Sequence, residues 1–135
     1  MMKPAVCRLK LADEFYTDEG CYITEISNSP DDTAASIARA RLEVGKTTRW
    51  HRLAGTAERY VILSGCGRVE VGTLPPAEVA AGDVVLIPPL CRQRITNTGT
   101  RDLIFLAICT PRYSDRVYED IDDNPDGPWS QETVC

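Results

Sequence analysis

The chain contains a single histidine, His51, and three polar residues spaced after it, Glu58, Tyr60 and Gln93, carry the strongest chemical signal. On a strand, side chains alternate with a period of two. His51 therefore shares a face with Leu53, Glu58 with Tyr60, and Cys91 with Gln93. If these faces meet inside a barrel, an imidazole, a carboxylate and an amide converge at its mouth. One nitrogen and two oxygen donors can hold Fe(II), Mn(II), Ni(II) or Zn(II) and leave positions open for water or substrate. Three protein ligands with an open position is the catalytic pattern, although the neutral Gln93 would ligate weakly, through its amide oxygen. If Glu58 is not a ligand it becomes the general base, with Tyr60 as proton donor. The structural alternative makes His51 a hydrogen-bonded interior residue. Glu58 then bonds it or pairs with an inward Arg39 or Arg41, and Gln93 is one more polar lining group.

The elements that must position these residues read as short strands. Cys21–Ile26 is rich in β-formers and runs into the turn residues Ser27-Asn28-Ser29-Pro30-Asp31-Asp32. Residues 36–44 alternate and stop at Gly45, and Arg59–Leu63 stops at Ser64-Gly65-Cys66-Gly67. Arg68–Val71 then resumes, which predicts a hairpin. Residues 73–80 carry Pro75-Pro76, Val84–Ile87 is closed by Pro88-Pro89, Arg92–Thr96 precedes Asn97-Thr98-Gly99, and Leu103–Cys109 is the most apolar run. A helix over 32–40, capped by Asp32, is the one competing assignment. The alternation of Arg39 and Arg41 with Ala40 and Leu42 argues against it. Short strands with Gly or Pro at most joints predict an all-β sandwich or barrel. We expect an N-terminal segment over 1–20, a barrel over 21–113, and an acidic tail over 114–135. That tail should pack through Tyr113, Val117, Tyr118 and Ile121 and fray near Trp129.

Length and charge narrow the classes of function. A chain of 135 residues is one domain, and 15 basic against 20 acidic residues give a net charge of −5 and a pI near 4.9. That balance opposes non-specific attraction to nucleic acid or anionic lipid, so neither is an expected partner. No apolar run approaches the roughly 18 residues of a membrane span. The charged start, MMKPAVCRLKLADEF, does not read as a signal peptide, so a cytoplasmic protein with reduced thiols is expected. None of the six cysteines has C-x-x-C spacing. Cys91 is placed to enter the cavity of Gln93, Cys109 reads as core and Cys66 as an exposed turn residue.

Two stretches resemble the paired motifs of the cupin superfamily. The first motif, G-x5-H-x-H-x3,4-E-x6-G, is met by Gly45, His51, Leu53, Glu58 and Gly65; the second, G-x5-P-x-G-x2-H-x3-N, by Gly82, Pro88, Leu90, Gln93 and Asn97. Every spacing fits. The resemblance implies an all-β, single-domain cupin-type barrel (a double-stranded β-helix or jelly roll). Metal-binding cupins usually present three histidines and one glutamate. Here Leu53 and Gln93 stand at two of the histidine positions and Leu90 at a glycine, so only His51 and Glu58 carry over.

The expected function is that of a small metal-dependent enzyme, a dioxygenase or an isomerase or lyase acting on a small hydroxy or keto metabolite. His51, Glu58 and Gln93 would hold an iron, manganese, nickel or zinc ion, with Glu58 and Tyr60 as catalytic residues. The alternative is a metal-free cupin that binds a sugar or aromatic small molecule, which the apolar Leu53 would suit. The resemblance also implies a homodimer formed by exchanged or added edge strands, with Cys21–Ile26 as the candidate strand.

Overall fold

The structure is a computed structural model and describes residues 2–124. Its strands are Phe15–Tyr16 (β1), Tyr22–Ser27 (β2), Ser36–Leu42 (β3), His51–Leu53 (β4), Ala57–Ser64 (β5), Cys66–Val71 (β6), Ala77–Ala80 (β7), Val84–Ile87 (β8), Gln93–Asn97 (β9), Leu103–Thr110 (β10) and Tyr118–Asp120 (β11). The only helical elements among the described residues are single 3-10 turns, Leu11–Asp13 and Asp115–Val117. Residues 36–42 are extended, and Asp32 accepts from Ala34 N to close a turn rather than cap a helix.

The strands form two antiparallel sheets, ordered β1-β2-β3-β10-β5-β8 and β11-β4-β9-β6-β7. Alternation places Leu42, Ile62, Val69, Ile95, Leu103 and Phe105 between them, all buried. Each such side chain contributes about 1.5–3 kcal/mol on leaving water. This is the all-β barrel that the strand rhythm predicts.

Three features differ from the sequence reading. β5 and β6 do not form a hairpin: β5 pairs with β10 and β8, β6 with β9 and β7, and the chain crosses from one sheet to the other at Gly65. Gly65 has φ of +87°, and a Cβ there would lie 2.7 Å from the Asp102 carbonyl oxygen, so the crossing requires glycine. The sheets also extend beyond 21–113. β1 lies within the expected N-terminal segment and β11 within the expected tail, and both are too short to show a period in sequence. Finally, β2 is covered by β1, so Cys21–Ile26 is not an edge. Residues 125–135, which include Trp129, lie outside the described residues.

Candidate active site

The register of the six-stranded sheet builds the site. Across β2, β3, β10 and β5 it aligns Ile23 with Ala40, Phe105 and Ile62, and Glu25 with Ala38, Ala107 and Tyr60; one step further, Ser36, Cys109 and Glu58 stand side by side. Side chains two residues apart share a face, so these rows present one continuous surface to the interior. Its middle positions are Ala38, Ala40 and Ala107. These small side chains leave an open cavity of about 450 Å³, bordered also by residues 15–19 and by Tyr113, Asp115 and Tyr118.

Glu58 stands in the wall of this cavity, on β5, and is 9% exposed. Its Oε2 accepts a hydrogen bond from the Cys109 thiol at 3.7 Å, and its Oε1 has no partner. Burial pushes its pKa up to about 7, helped by the Glu19 carboxylate and opposed by His51. Gln93 Nε2 is close enough to favour the ionised form but lacks bonding geometry to any acceptor. On the same strand face, Tyr60 Oη donates to Gln93 Oε1 at 2.5 Å. Burial raises the phenol well above its ordinary range, so Tyr60 stays neutral and remains a donor.

His51 lies on β4 directly opposite Gln93 of β9. Its Nδ1 donates to the Arg49 carbonyl at 2.7 Å, which fixes the ring and turns Nε2 toward Glu19 Oε2 at 3.4 Å. The ring stacks on Tyr118 at 5.3 Å between centroids. Tyr118 belongs to β11, which pairs with β4 and places Asp120 opposite His51.

The structure thus brings His51, Glu58, Tyr60 and Gln93 into one neighbourhood. Other candidates fall elsewhere. Leu53 and Cys91 are buried, and Cys91 packs in the apolar core. Arg39 and Arg41 face outward, both bonded to Glu14, with Arg41 also reaching Asp102. Neither pairs with Glu58. Trp50 packs between the guanidinium groups of Arg92 and Arg94, 4.7 and 4.3 Å from its ring centroid. Glu19, Cys109 and Tyr118 escape a reading by strand period. Glu19 and Tyr118 come from a loop and a three-residue strand, and Cys109 lies in the most apolar run, where a thiol looks like core.

The donors do not fit a divalent ion. Leu53 replaces a second imidazole, the Gln93 amide oxygen is turned to Tyr60, and His51 Nε2 is turned to Glu19. Among the described residues, no group of three or more His, Cys, Asp or Glu side chains is placed to hold a metal. Ligation by His51, Glu58 and Gln93 is an expectation that these contacts do not support.

Residues 38–109, which span both motifs and the strands of the cavity floor, match the family described as Cupin domain. An uncharacterized protein of Methanocaldococcus jannaschii, MJ1618, is 32% identical over 102 residues, covering 74% of this chain and 81% of that protein. Among solved structures, KdgF from Halomonas sp. superposes with a TM-score of 0.73 at 13% identity, over 85% of this chain and 100% of that one. The Streptomyces nucleoside dehydratase Pac13 superposes with a TM-score of 0.70 at 15% identity, over 85% and 90%. At those identities the structural likeness speaks to the fold alone. With the motif spacings met, the two sheets closed into a barrel and the matched region covering more than half its length, the chain belongs to the cupin family.

Proposed function

We propose that this cupin is a small-molecule enzyme of the isomerase or lyase kind, working by proton transfer on a hydroxy or keto compound held in the 450 Å³ cavity. The observation that carries this reading is the buried Glu58 carboxyl with Oε1 unpartnered at the cavity wall. A group that changes protonation near pH 7 exchanges protons efficiently at neutral pH. Glu58 would take a proton from a carbon or hydroxyl of the substrate and return it. Tyr60, held by Gln93, would donate a hydrogen bond to the oxygen where charge develops. A dehydratase such as Pac13, solved with uridine, belongs to the same reaction class and favours the lyase form of the proposal. The oxygenase form draws no support from this donor set.

The second reading is binding without catalysis, favoured by the apolar part of the lining: Ile23, Ala38, Ala40, Phe105 and Ala107. Solvent exchange separates the two. Small hydroxy ketones are incubated with the protein in deuterated water and followed by NMR for deuterium next to the carbonyl. The proposal expects exchange by the unaltered protein, loss of most of it in Glu58→Gln, and partial loss in Tyr60→Phe. Bound ligands with no exchange above the Glu58→Gln background would leave only the binding reading.

A further inference from the structure

The charge of the cavity lining limits what can enter. Five carboxylates line it: Asp18, Glu19, Glu25, Glu58 and Asp115. Among the described residues, no Lys, Arg or His lines it. The arginines nearby in sequence are engaged elsewhere, Arg39 and Arg41 by Glu14 on the outer face and Arg49 by Asp120. Arg112 is the guanidinium bonded to a lining side chain, donating to Asn28 Oδ1 at 2.8 Å. Of the five acids, Glu19 lies 3.4 Å from the His51 imidazole, which also acts on Glu58. An anion entering this space would leave water for a wall of like charge.

Two further features point to a ligand and to its sign. The Glu58 carboxyl is nine-tenths buried in the cavity wall, where Oε2 accepts from the Cys109 thiol and Oε1 has no hydrogen-bond partner. Aromatic side chains also line the cavity: Phe15 and Tyr16 of β1, Tyr60 and Phe105 of the sheet, and Tyr113 and Tyr118. Aromatic faces attract cations through their quadrupoles, and the attraction strengthens where water is excluded.

Resting on the reading of this cavity as a ligand site, we propose that its ligand is an organic cation, an amine or quaternary ammonium compound, with the cationic head at Glu58 and Glu19 and its apolar part on the alanine floor. The reaction assigned above would then act on an amino-substituted hydroxy or keto compound. Carboxylates and phosphate esters are excluded as substrates by the same lining.

The test uses three probes of one shape that differ in charge. They are choline, its neutral isostere with carbon in place of the quaternary nitrogen, and the carboxylate built on the same tert-butyl skeleton. Each is titrated into the full chain and followed by amide chemical shifts. Choline is expected to bind at least about tenfold more tightly than the neutral compound, with shifts in β5 and β10. The carboxylate is expected not to bind. Glu58→Gln should remove most of the difference between choline and the neutral probe. Because a change at that buried site can disturb folding, the pair Asp18→Asn and Glu25→Gln, on the exposed rim, provides an independent readout. It should weaken choline several-fold and leave the neutral probe unchanged. Equal binding of choline and the neutral probe overturns the charge assignment while keeping the cavity as a ligand site. Preference for the carboxylate overturns it outright. No binding by any of the three overturns the assignment and removes support for the ligand site as well.

Discussion

Glu58 spends free energy to keep an ionised carboxylate in a buried wall, and this sets how stability changes with pH. Its pKa is raised from 4.5 to about 7 in the folded chain, so between those values the native state binds more protons than the unfolded one. Stability therefore falls as pH rises through that window. The full effect is on the order of 3 kcal/mol at 1.36 kcal/mol per unit. Glu14, held low by its hydrogen bond to Arg41, and Asp120, held low by Arg49, act in the opposite direction but below the ordinary carboxylate range. The loss between pH 5 and 7 belongs to Glu58. In urea unfolding across that range, Glu58→Gln should be nearly flat where the unaltered protein declines; parallel curves would refute the assignment. Leu90 gives a second expectation. It has φ of +65°, where a branched side chain is strained and the family motif has glycine. Leu90→Gly should stabilise by about 1 kcal/mol through relief of that strain, less the greater freedom of glycine in the unfolded chain. A lower melting temperature in the variant would show that the Leu90 side chain matters more than its backbone. At this scale the sequence was informative about His51, Glu58, Tyr60 and Gln93, because strand period and motif spacing both fall on them. It was silent on Glu19 and Cys109. Glu19 reaches His51 from a loop that has no period, and the Cys109 thiol acts only because register sets it beside Glu58.

Between strands, the cavity exists because three alanines stand in register at its floor. Ala107 lies between Ala38 and Tyr60, so a large side chain there fills the space from beneath. Ala107→Phe should abolish probe binding at a stability cost of about 1–3 kcal/mol, the usual range for overpacking. Titration of the folded variant would check it, and retained affinity would place the ligand elsewhere. The crossing at Gly65 is a second pivot. Gly65→Ala sets a Cβ against the Asp102 carbonyl in a left-handed conformation and should destabilise by more than about 1 kcal/mol. Strand existence was legible from alternation and turn residues, and Val84–Ile87 was located to the residue. Partnership was not. A single glycine between two strands fits both a hairpin and a change of sheet, and only the distant partners β10 and β9 decide.

For the whole molecule, the homodimer implied by family resemblance remains a proposal, and its geometry shifts. With β2 internal, the edges open to a second copy are β1 and β8 on one sheet and β7 and β11 on the other. Val84 and Leu86 of β8, with Leu63 beside them, are exposed, as are Val6, Leu9 and Leu11 ahead of β1. Light scattering at micromolar concentration should give twice 14.9 kDa, and a mass of 14.9 kDa alone would defeat the expectation. Among the described residues, no helix is long and apolar enough to cross a membrane. The pairing of β11 with β4 has a consequence for synthesis. A growing chain makes His51, Glu58 and Gln93 well before Tyr118, and domains begin to fold from their N-terminal side as they emerge. Until Tyr118–Asp120 leaves the ribosome, the imidazole has no ring stacked upon it and strand β4 lacks one neighbour. A product terminated early, at residue 113 for example, would hold most of the barrel yet an unfinished site. Release of the last described strand thus marks the moment at which β4 gains its neighbour and His51 its stacked ring.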